Sequence, residues 1–201
     1  MYTTIFFDLG NVVLEIFPEK MCANLGTLTG LGQERIQQLF FKEKLLDLYE
    51  SGKVTTNELC QHLSHLSNRN LEIAELKHHM SHENSYPREE LVSLLVELKK
   101  KDIELIALSN TNEIHFHFNR DYFNFIHHFD ELVLSYEVGV LKPDPKIYAH
   151  ALKRASSSPE KCLFIDDLKE NIEGAQRAGI NGHHFTGFQP LYDVLKVHRC
   201  L

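Results

Sequence analysis

The chain has 201 residues, of which 43% are hydrophobic, 10% aromatic and 24% charged, a make-up that excludes a disordered or fibrous protein. That length supports one core, or one core with a small insertion, and leaves little room for two independent domains. A formal charge of −7 lacks the basic footprint of a nucleic-acid binder, so any phosphate is expected to be met at a local site.

Thr3 to Phe7 is a β-rich apolar run that ends in Asp8, and the Gly10-Asn11 step behind it is a strand-breaking turn. The chain enters this run with no basic leader or small-residue cleavage site, and it contains no stretch of about 18 apolar residues. A cytoplasmic protein with no membrane partner is expected. From about Pro18 to Tyr86 the texture turns helical: periodic segments around Glu34 to Phe41, Asn57 to Leu66 and Glu72 to Met80 are separated by Gly-bearing joints, without a strand pattern. This reads as a helical insertion. Its histidines, His62, His65, His78, His79 and His82, match no ligand pattern such as HExxH and fit a solvated helix face. Phe40, Phe41, Lys42, Lys44 and Tyr49 suit a pocket wall or an amphipathic packing face equally well.

The alternation of strand and helix resumes at Pro87 to Lys101, where Pro87 suits a first helical position and Leu91, Leu94, Leu95 and Leu98 form an apolar stripe. Ile103 to Leu108 is an apolar run stopped by Ser109-Asn110. Glu131 to Leu134 follows, then a loop from Ser135 to Pro145, then a helix with Ile147, Tyr148, Ala151 and Leu152 inward. Cys162 to Ile165 ends in Asp166-Asp167, and the next helix closes at Gly179 before a short strand near Gly182 to Phe185. Strands alternating with helices predict an α/β fold with a parallel, doubly wound sheet. Cys22, Cys60, Cys162 and Cys200 lie far apart with no CxxC pair, so reduced thiols are expected in place of a zinc or redox site.

Asp8, Ser109-Asn110 and Asp166-Asp167 all stand at the carboxyl ends of apolar runs, and in an open parallel sheet those ends share one edge. Clustered carboxylates repel unless a hard cation sits among them. Mg²⁺ suits Asp8, Asp167 and a backbone carbonyl, with waters and a substrate phosphate oxygen completing its shell. The segment Gly139 to Pro145 presents Lys142, whose ammonium can stabilise a transferring phosphoryl group. The Ser109 hydroxyl and the N–H groups behind it can donate to phosphoryl oxygens. Each feature alone also has a purely structural reading: Asp and Gly form turns, Lys142 between prolines suits a surface turn, and Asp166-Asp167 suits a helix start.

Together FFDLGNVVL, LSNTN, the lysine of GVLKPDPKIY and FIDDLKENIEGA resemble the four motifs of the haloacid dehalogenase superfamily, most of whose members are phosphatases. The resemblance implies a Rossmann-like core of residues 1–16 and 86–201, with helices on both sheet faces. A small helical cap of residues 17–85 would follow the first strand. It implies Asp8 as the nucleophile that forms an aspartyl-phosphate and as a Mg²⁺ ligand, and Ser109 and Asn110 as substrate or phosphate binders. Lys142 would be the stabilising cation, Asp167 a direct metal ligand, and Asp166 its support or the partner of Lys142. A small phosphorylated metabolite is the implied substrate.

Position 10 departs from the pattern, because the phosphatases usually carry a second Asp there as general acid and base. The carbonyl of Gly10 can still bind metal, but a side-chain proton shuttle is missing. Such catalysis is typically worth about 10² to 10⁴ in rate, or roughly 3 to 5 kcal/mol. A substrate with a good leaving group suffers less, which points to a sugar 1-phosphate; the DLGN form is similar to that of bacterial phosphatases acting on glucose 1-phosphate. Two other readings stand beside this one. The first is a phosphate-metabolite binding or interaction protein that Gly10 has made catalytically weak. The second is a 2-haloacid dehalogenase, disfavoured because that branch usually has Tyr at position 10 and Asp166-Asp167 would hinder an anionic haloacid.

Overall fold

The structure is a computed structural model and describes residues 1–81 and 84–201, so that His82 lies outside the described residues. Its strands are β1 (Thr4–Phe7), β2 (Leu14–Ile16), β3 (Ser85–Pro87), β4 (Glu104–Ser109), β5 (Glu131–Leu134), β6 (Cys162–Asp166) and β7 (Asn181–His184). Five of them form one sheet in the order β5-β4-β1-β6-β7, every neighbouring pair parallel. Both faces of such a sheet are buried, which explains why β1 is apolar at Ile5, Phe6 and Phe7 without alternation. Ile5 and Phe7 enter a cluster with Leu91, Leu94 and Leu95, whereas Phe6 points the other way, to Ile147, Tyr148 and Phe164.

The helices are α1 (Pro18–Thr29), α2 (Gln33–Gln37), α3 (Leu45–Glu50), α4 (Thr56–Ser67), α5 (Ile73–Ser81), α6 (Glu89–Lys99), α7 (Glu113–Tyr122), α8 (Ser135–Val138), α9 (Pro145–Arg154), α10 (Lys169–Arg177) and α11 (Phe188–Val197). Residues of α6 and α11 cover one face of the sheet and residues of α9 and α10 the other, giving the doubly wound α/β arrangement. Helix α10 ends at Ala178 with Gly179 in the left-handed region (φ 85°), where the missing Cβ removes the strain of that turn.

Between β2 and β3, helices α1 to α5 pack around a separate cluster that includes Leu25, Ile36, Leu59, Leu63 and Leu76. Full burial of each such side chain stabilises the fold by about 1.5–3 kcal/mol. Thr55 and Glu58 start α4 with reciprocal side-chain and backbone hydrogen bonds, a capping box. A π-helical turn at Gln38–Lys42, followed by Lys44 in the left-handed region (φ 63°), redirects the chain into α3.

Several sequence expectations change here. Helix α8 stands in the segment expected as a loop from Ser135 to Pro145, and α7 and α11 lie where no helix is expected. Helices α1 and α3 fall within the helical insertion but outside its three periodic segments, and β2 pairs with β3 as an antiparallel ribbon where the insertion leaves and rejoins the sheet. Three residues per strand are too few to show alternation. Pro87 is not a first helical residue; it pairs with Leu14, and the Arg88 N–H bonds to the Val13 carbonyl (2.8 Å), which keeps the backbone extended until Glu89. Proline is tolerated at such a two-stranded edge because its missing N–H leaves no ladder donor unpaired.

Candidate active site

Strand β1 sits in the middle of the sheet, with the chain continuing to β4 on one side and β6 on the other, so its carboxyl end opens at the switch in strand order. Asp8 leaves that end, its N–H bonded to the Ile165 carbonyl (2.9 Å) as though β1 continued. Its Oδ1 accepts from the Leu9 N–H (2.8 Å) and lies 2.9 Å from Lys142 Nζ. Burial first, then the neighbouring Asp166 and Asp167 charges, push the Asp8 carboxyl above its ordinary range, with Lys142 opposing them.

Lys142 is 5% exposed, and its ammonium meets Asp8 Oδ1, Asp166 Oδ2 (2.7 Å) and the Leu108 carbonyl (3.0 Å), a partner for each of its three protons. Burial alone would favour the neutral amine; the two carboxylates override it and hold the lysine above its ordinary value. Asp166 is fully buried and also accepts from Asn171 Nδ2 and the Leu168 N–H (2.8 Å), so it is an anchor. Asn171 is brought close by Gly174: a Cβ there would stand 2.7 Å from the Tyr148 hydroxyl, which donates to the Asn171 carbonyl. The Asn110 amide forms a two-point clasp on the Lys142 backbone, donating to its carbonyl (3.1 Å) and accepting from its N–H (2.8 Å). Asn110 thereby holds the loop that carries the cation.

Asp8, Asp166 and Asp167 each offer a carboxylate oxygen, and these lie within 4.8 Å of one another. Asp167 is half-buried, and Asn11, itself in the left-handed region (φ 56°), donates to its Oδ2 (3.2 Å). Three carboxylates outnumber the single ammonium, and every donor is a hard oxygen, so the set fits Mg²⁺ rather than a thiolate- or imidazole-seeking metal.

Beside this cluster lies a cavity of about 190 Å³, lined by Gly10, Ser109, Asn110 and Thr111 on the sheet side and by Met21, Phe41, Leu46 and Glu50 from the insertion. Phe41 thus faces the cavity, while Phe40 and Tyr49 are buried in the insertion's own core and Lys42 and Lys44 do not line the space. Ser109 is buried, and its hydroxyl makes only a long contact to the Asn110 carbonyl (3.4 Å). Glu50 is the only carboxylate among the described lining residues. Burial, then Asp47 and Asp8, push it up to about 7, against smaller lowering effects from Lys142 and the Asn112 side chain. His115, also in the wall, is held neutral: burial drives it down to about 4, and its ring nitrogens contact Asn112 Nδ2 (3.0 Å) and the Met80 carbonyl (3.0 Å).

All six side chains picked from the sequence, Asp8, Ser109, Asn110, Lys142, Asp166 and Asp167, therefore meet at one sheet edge, with Gly10 beside them. Asn11, Asn171 and Glu50 were missed. The first two sit inside the quoted motifs and could have been read from them; Glu50 carries no local signal, because it reaches the site only through the packing of α3. The four cysteines are free and buried. Among the described residues, no helix is long and apolar enough to cross a membrane.

A family profile described as hydrolase, haloacid dehalogenase-like hydrolase, matches residues 2–179. A sesquiterpene phosphatase of Aspergillus oryzae is 34% identical over 100 residues, which is 50% of this chain and about half (51%) of that relative's length. A D-ribitol-5-phosphate phosphatase of Bacteroides thetaiotaomicron is 26% identical over 197 residues, covering 94% of this chain and 92% of the relative. The crystal structure of a haloacid dehalogenase family enzyme of the same bacterium, in complex with magnesium and inorganic phosphate, superposes with a TM-score of 0.79 at 22% identity over 96% of this chain and 100% of that one.

Proposed function

The chain belongs to the haloacid dehalogenase-like hydrolase family, and from that premise we propose that it is a Mg²⁺-dependent phosphatase that hydrolyses a small phosphorylated metabolite through an aspartyl-phosphate on Asp8. The observation that carries this reading is the buried Lys142 ammonium between Asp8 (2.9 Å) and Asp166 (2.7 Å), with a third carboxylate, Asp167, in reach of the same point. A merely structural ion pair would not need an excess of acid at an open strand end. The phosphatase relatives and the magnesium and phosphate complex of the similar structure support the same chemistry.

In this mechanism the free oxygen of Asp8 attacks phosphorus, the ester P–O bond breaks, and the alcohol oxygen departs. Water then attacks the phosphorus of the acyl phosphate and frees Asp8. Lys142 keeps Asp8 ionised and neutralises charge that builds on the phosphoryl oxygens. Ser109 and the main-chain N–H of Asn110 donate to those oxygens, and Asn110 and Asp166 keep Lys142 in place. Mg²⁺ held by Asp8, Asp167 and the Gly10 carbonyl would supply charge neutralisation and alignment of the phosphate.

The leaving-group argument from Gly10 points to a sugar 1-phosphate, but the cavity favours another alcohol. Leu9, Leu14, Ile16, Phe17, Met21 and Leu46 form a continuous apolar share of its wall, and sugar hydroxyls placed against them would lose their hydrogen bonds to water without replacement. An apolar alcohol would gain about 25 cal/mol per Å² of surface covered. Phosphate release with Mg²⁺ and with chelator, from apolar alkyl and prenyl phosphates and from sugar 1-phosphates, tests both points. Mg²⁺-dependent turnover with kcat/KM at least about tenfold higher on the apolar esters is expected. Preference for sugar 1-phosphates would overturn the substrate reading, and no turnover on any ester would overturn the activity.

A further inference from the structure

An alkoxide is a poor leaving group, so a phosphatase acting on an ordinary alcohol ester needs a proton donor beside the departing oxygen. Asp8 and Asp166 are paired with Lys142, Asp167 accepts from Asn11 and is assigned to the metal, and Gly10 has no side chain. In the cavity wall His115 is neutral, with its ring nitrogens engaged by Asn112 and Met80. Glu50, at the end of α3, is the one carboxyl among the described lining residues, and it shares the cavity with Gly10, Ser109 and Asn110.

Its placement is enforced from the core side. The Ser135 hydroxyl accepts the Thr111 N–H (2.9 Å) and donates to the Glu50 carbonyl (2.6 Å). Two residues on, Gly52 (φ 64°) is pressed so closely against the core that a Cβ would lie 2.3 Å from the Tyr136 carbonyl oxygen. Thr56 donates to Glu113 of α7 and shares a hydrogen bond with Tyr49 (2.8 Å). The Glu50 segment is thus bolted to the catalytic layer and does not hang from a mobile lid.

We infer that Glu50, supplied by the helical insertion, is the general acid and base of the reaction, in the role that position 10 leaves empty. Protonated Glu50 gives its proton to the alcohol oxygen as the P–O ester bond breaks. The resulting carboxylate takes a proton from the water that attacks phosphorus as the Asp8–phosphoryl bond breaks, and Glu50 returns to its starting state. The groups around it set its ionisation: Asp47 one turn earlier and Asp8 below it disfavour the charged form, Lys142 and Asn112 favour it, and burial leaves the carboxyl at about 7, suited to both steps.

The inference rests on the phosphatase reading, and the test separates the two. Rates with Mg²⁺ are measured for wild type and Glu50→Gln on p-nitrophenyl phosphate, whose leaving group needs no proton, and on hexyl phosphate, whose leaving group does. The comparison is made in kcat/KM, which reports the steps up to ester cleavage and not the later hydrolysis of the aspartyl-phosphate, which needs Glu50 whichever ester supplied it. The variant is therefore expected to lose about 10²–10⁴-fold in kcat/KM on hexyl phosphate and less than about tenfold in kcat/KM on the aryl ester. Equal losses on both esters, or no loss on hexyl phosphate, would overturn the inference while leaving the phosphatase intact. Wild type inactive on both would remove the phosphatase reading and the inference with it. Should the variant not fold, wild type decides by the pH profile of kcat/KM: the hexyl ester value must fall above about pH 7 while the aryl value holds, and superposable profiles would refute the role.

Discussion

The two sides of the cavity solve opposite electrostatic problems. On the sheet side, Asp8, Lys142 and Asp166 form a closed set in which each charge has a partner at 2.7–2.9 Å, and Asn110 and Asn171 fix those partners in turn. On the insertion side Glu50 is the one carboxyl among the described lining residues, set beside Met21, Phe41 and Leu46 and without an ion pair among the described residues. In the proposed reaction the first arrangement would keep Asp8 ionised and a phosphate neutralised at constant charge. The second keeps a proton available. The proposed reaction is thereby divided between a rigid charged floor and a poorly solvated acid in the roof.

Breaking the floor should have the largest effect. Lys142→Met leaves Asp8 and Asp166 facing each other without a cation, and removal of one partner from a buried ion pair typically costs about 3–5 kcal/mol. Denaturant unfolding in the absence of Mg²⁺ should show that loss, together with activity at background; stability within about 1 kcal/mol of wild type would mean that the floor is not a closed set.

Moving the acid from roof to floor sharpens the comparison further. A Cβ at Gly10 would meet only Ile16, at an ordinary 3.5 Å, so Gly10→Asp fits without strain. In the Glu50→Gln background it should recover about tenfold or more on hexyl phosphate, by returning an acid to the leaving oxygen. No recovery in a folded double variant would show that position 10 does not face the alcohol.

The smallest effect concerns stability and pH. A carboxyl held near 7 in the fold and near about 4.3 unfolded binds its proton more tightly in the native state. Its contribution is therefore full below the unfolded value and is lost as pH rises through about 7. Glu50→Gln removes the titration, so the variant should gain on wild type by ~1–3 kcal/mol between pH 4.5 and pH 8 in Mg²⁺-free buffer. Thermal midpoints across that range check the sign; parallel curves would show that Glu50 does not titrate in this window.

The floor was legible in the sequence and the roof was not, for a physical reason. Asp8, Ser109 and Asp166 end apolar strands, and parallel pairing places all strand ends on one edge whatever the loops do. Lys142 could be placed because the resemblance spans GVLKPDPKIY. Glu50 lies within a helix of six residues, and no spacing rule links α3 to β1; its position depends on the π-helical turn, on Lys44 and on the close approach of Gly52 to Tyr136. Similarly, Phe41 lines the cavity while its neighbour Phe40 is buried away from it, a distinction that periodicity blurs where a helix changes pitch. Pro87 misled because a proline suits both a helix start and a short edge strand.

The central claim, covalent phosphoryl transfer to Asp8, is tested most directly by acid-quenching wild type and Asp8→Asn during turnover of p-nitrophenyl phosphate with Mg²⁺ and mapping the phosphoryl adduct by mass spectrometry. Wild type is expected to carry an adduct on the peptide that contains Asp8, and the variant to show neither adduct nor turnover. Turnover by Asp8→Asn at the wild-type rate, or an adduct on another side chain, would contradict it.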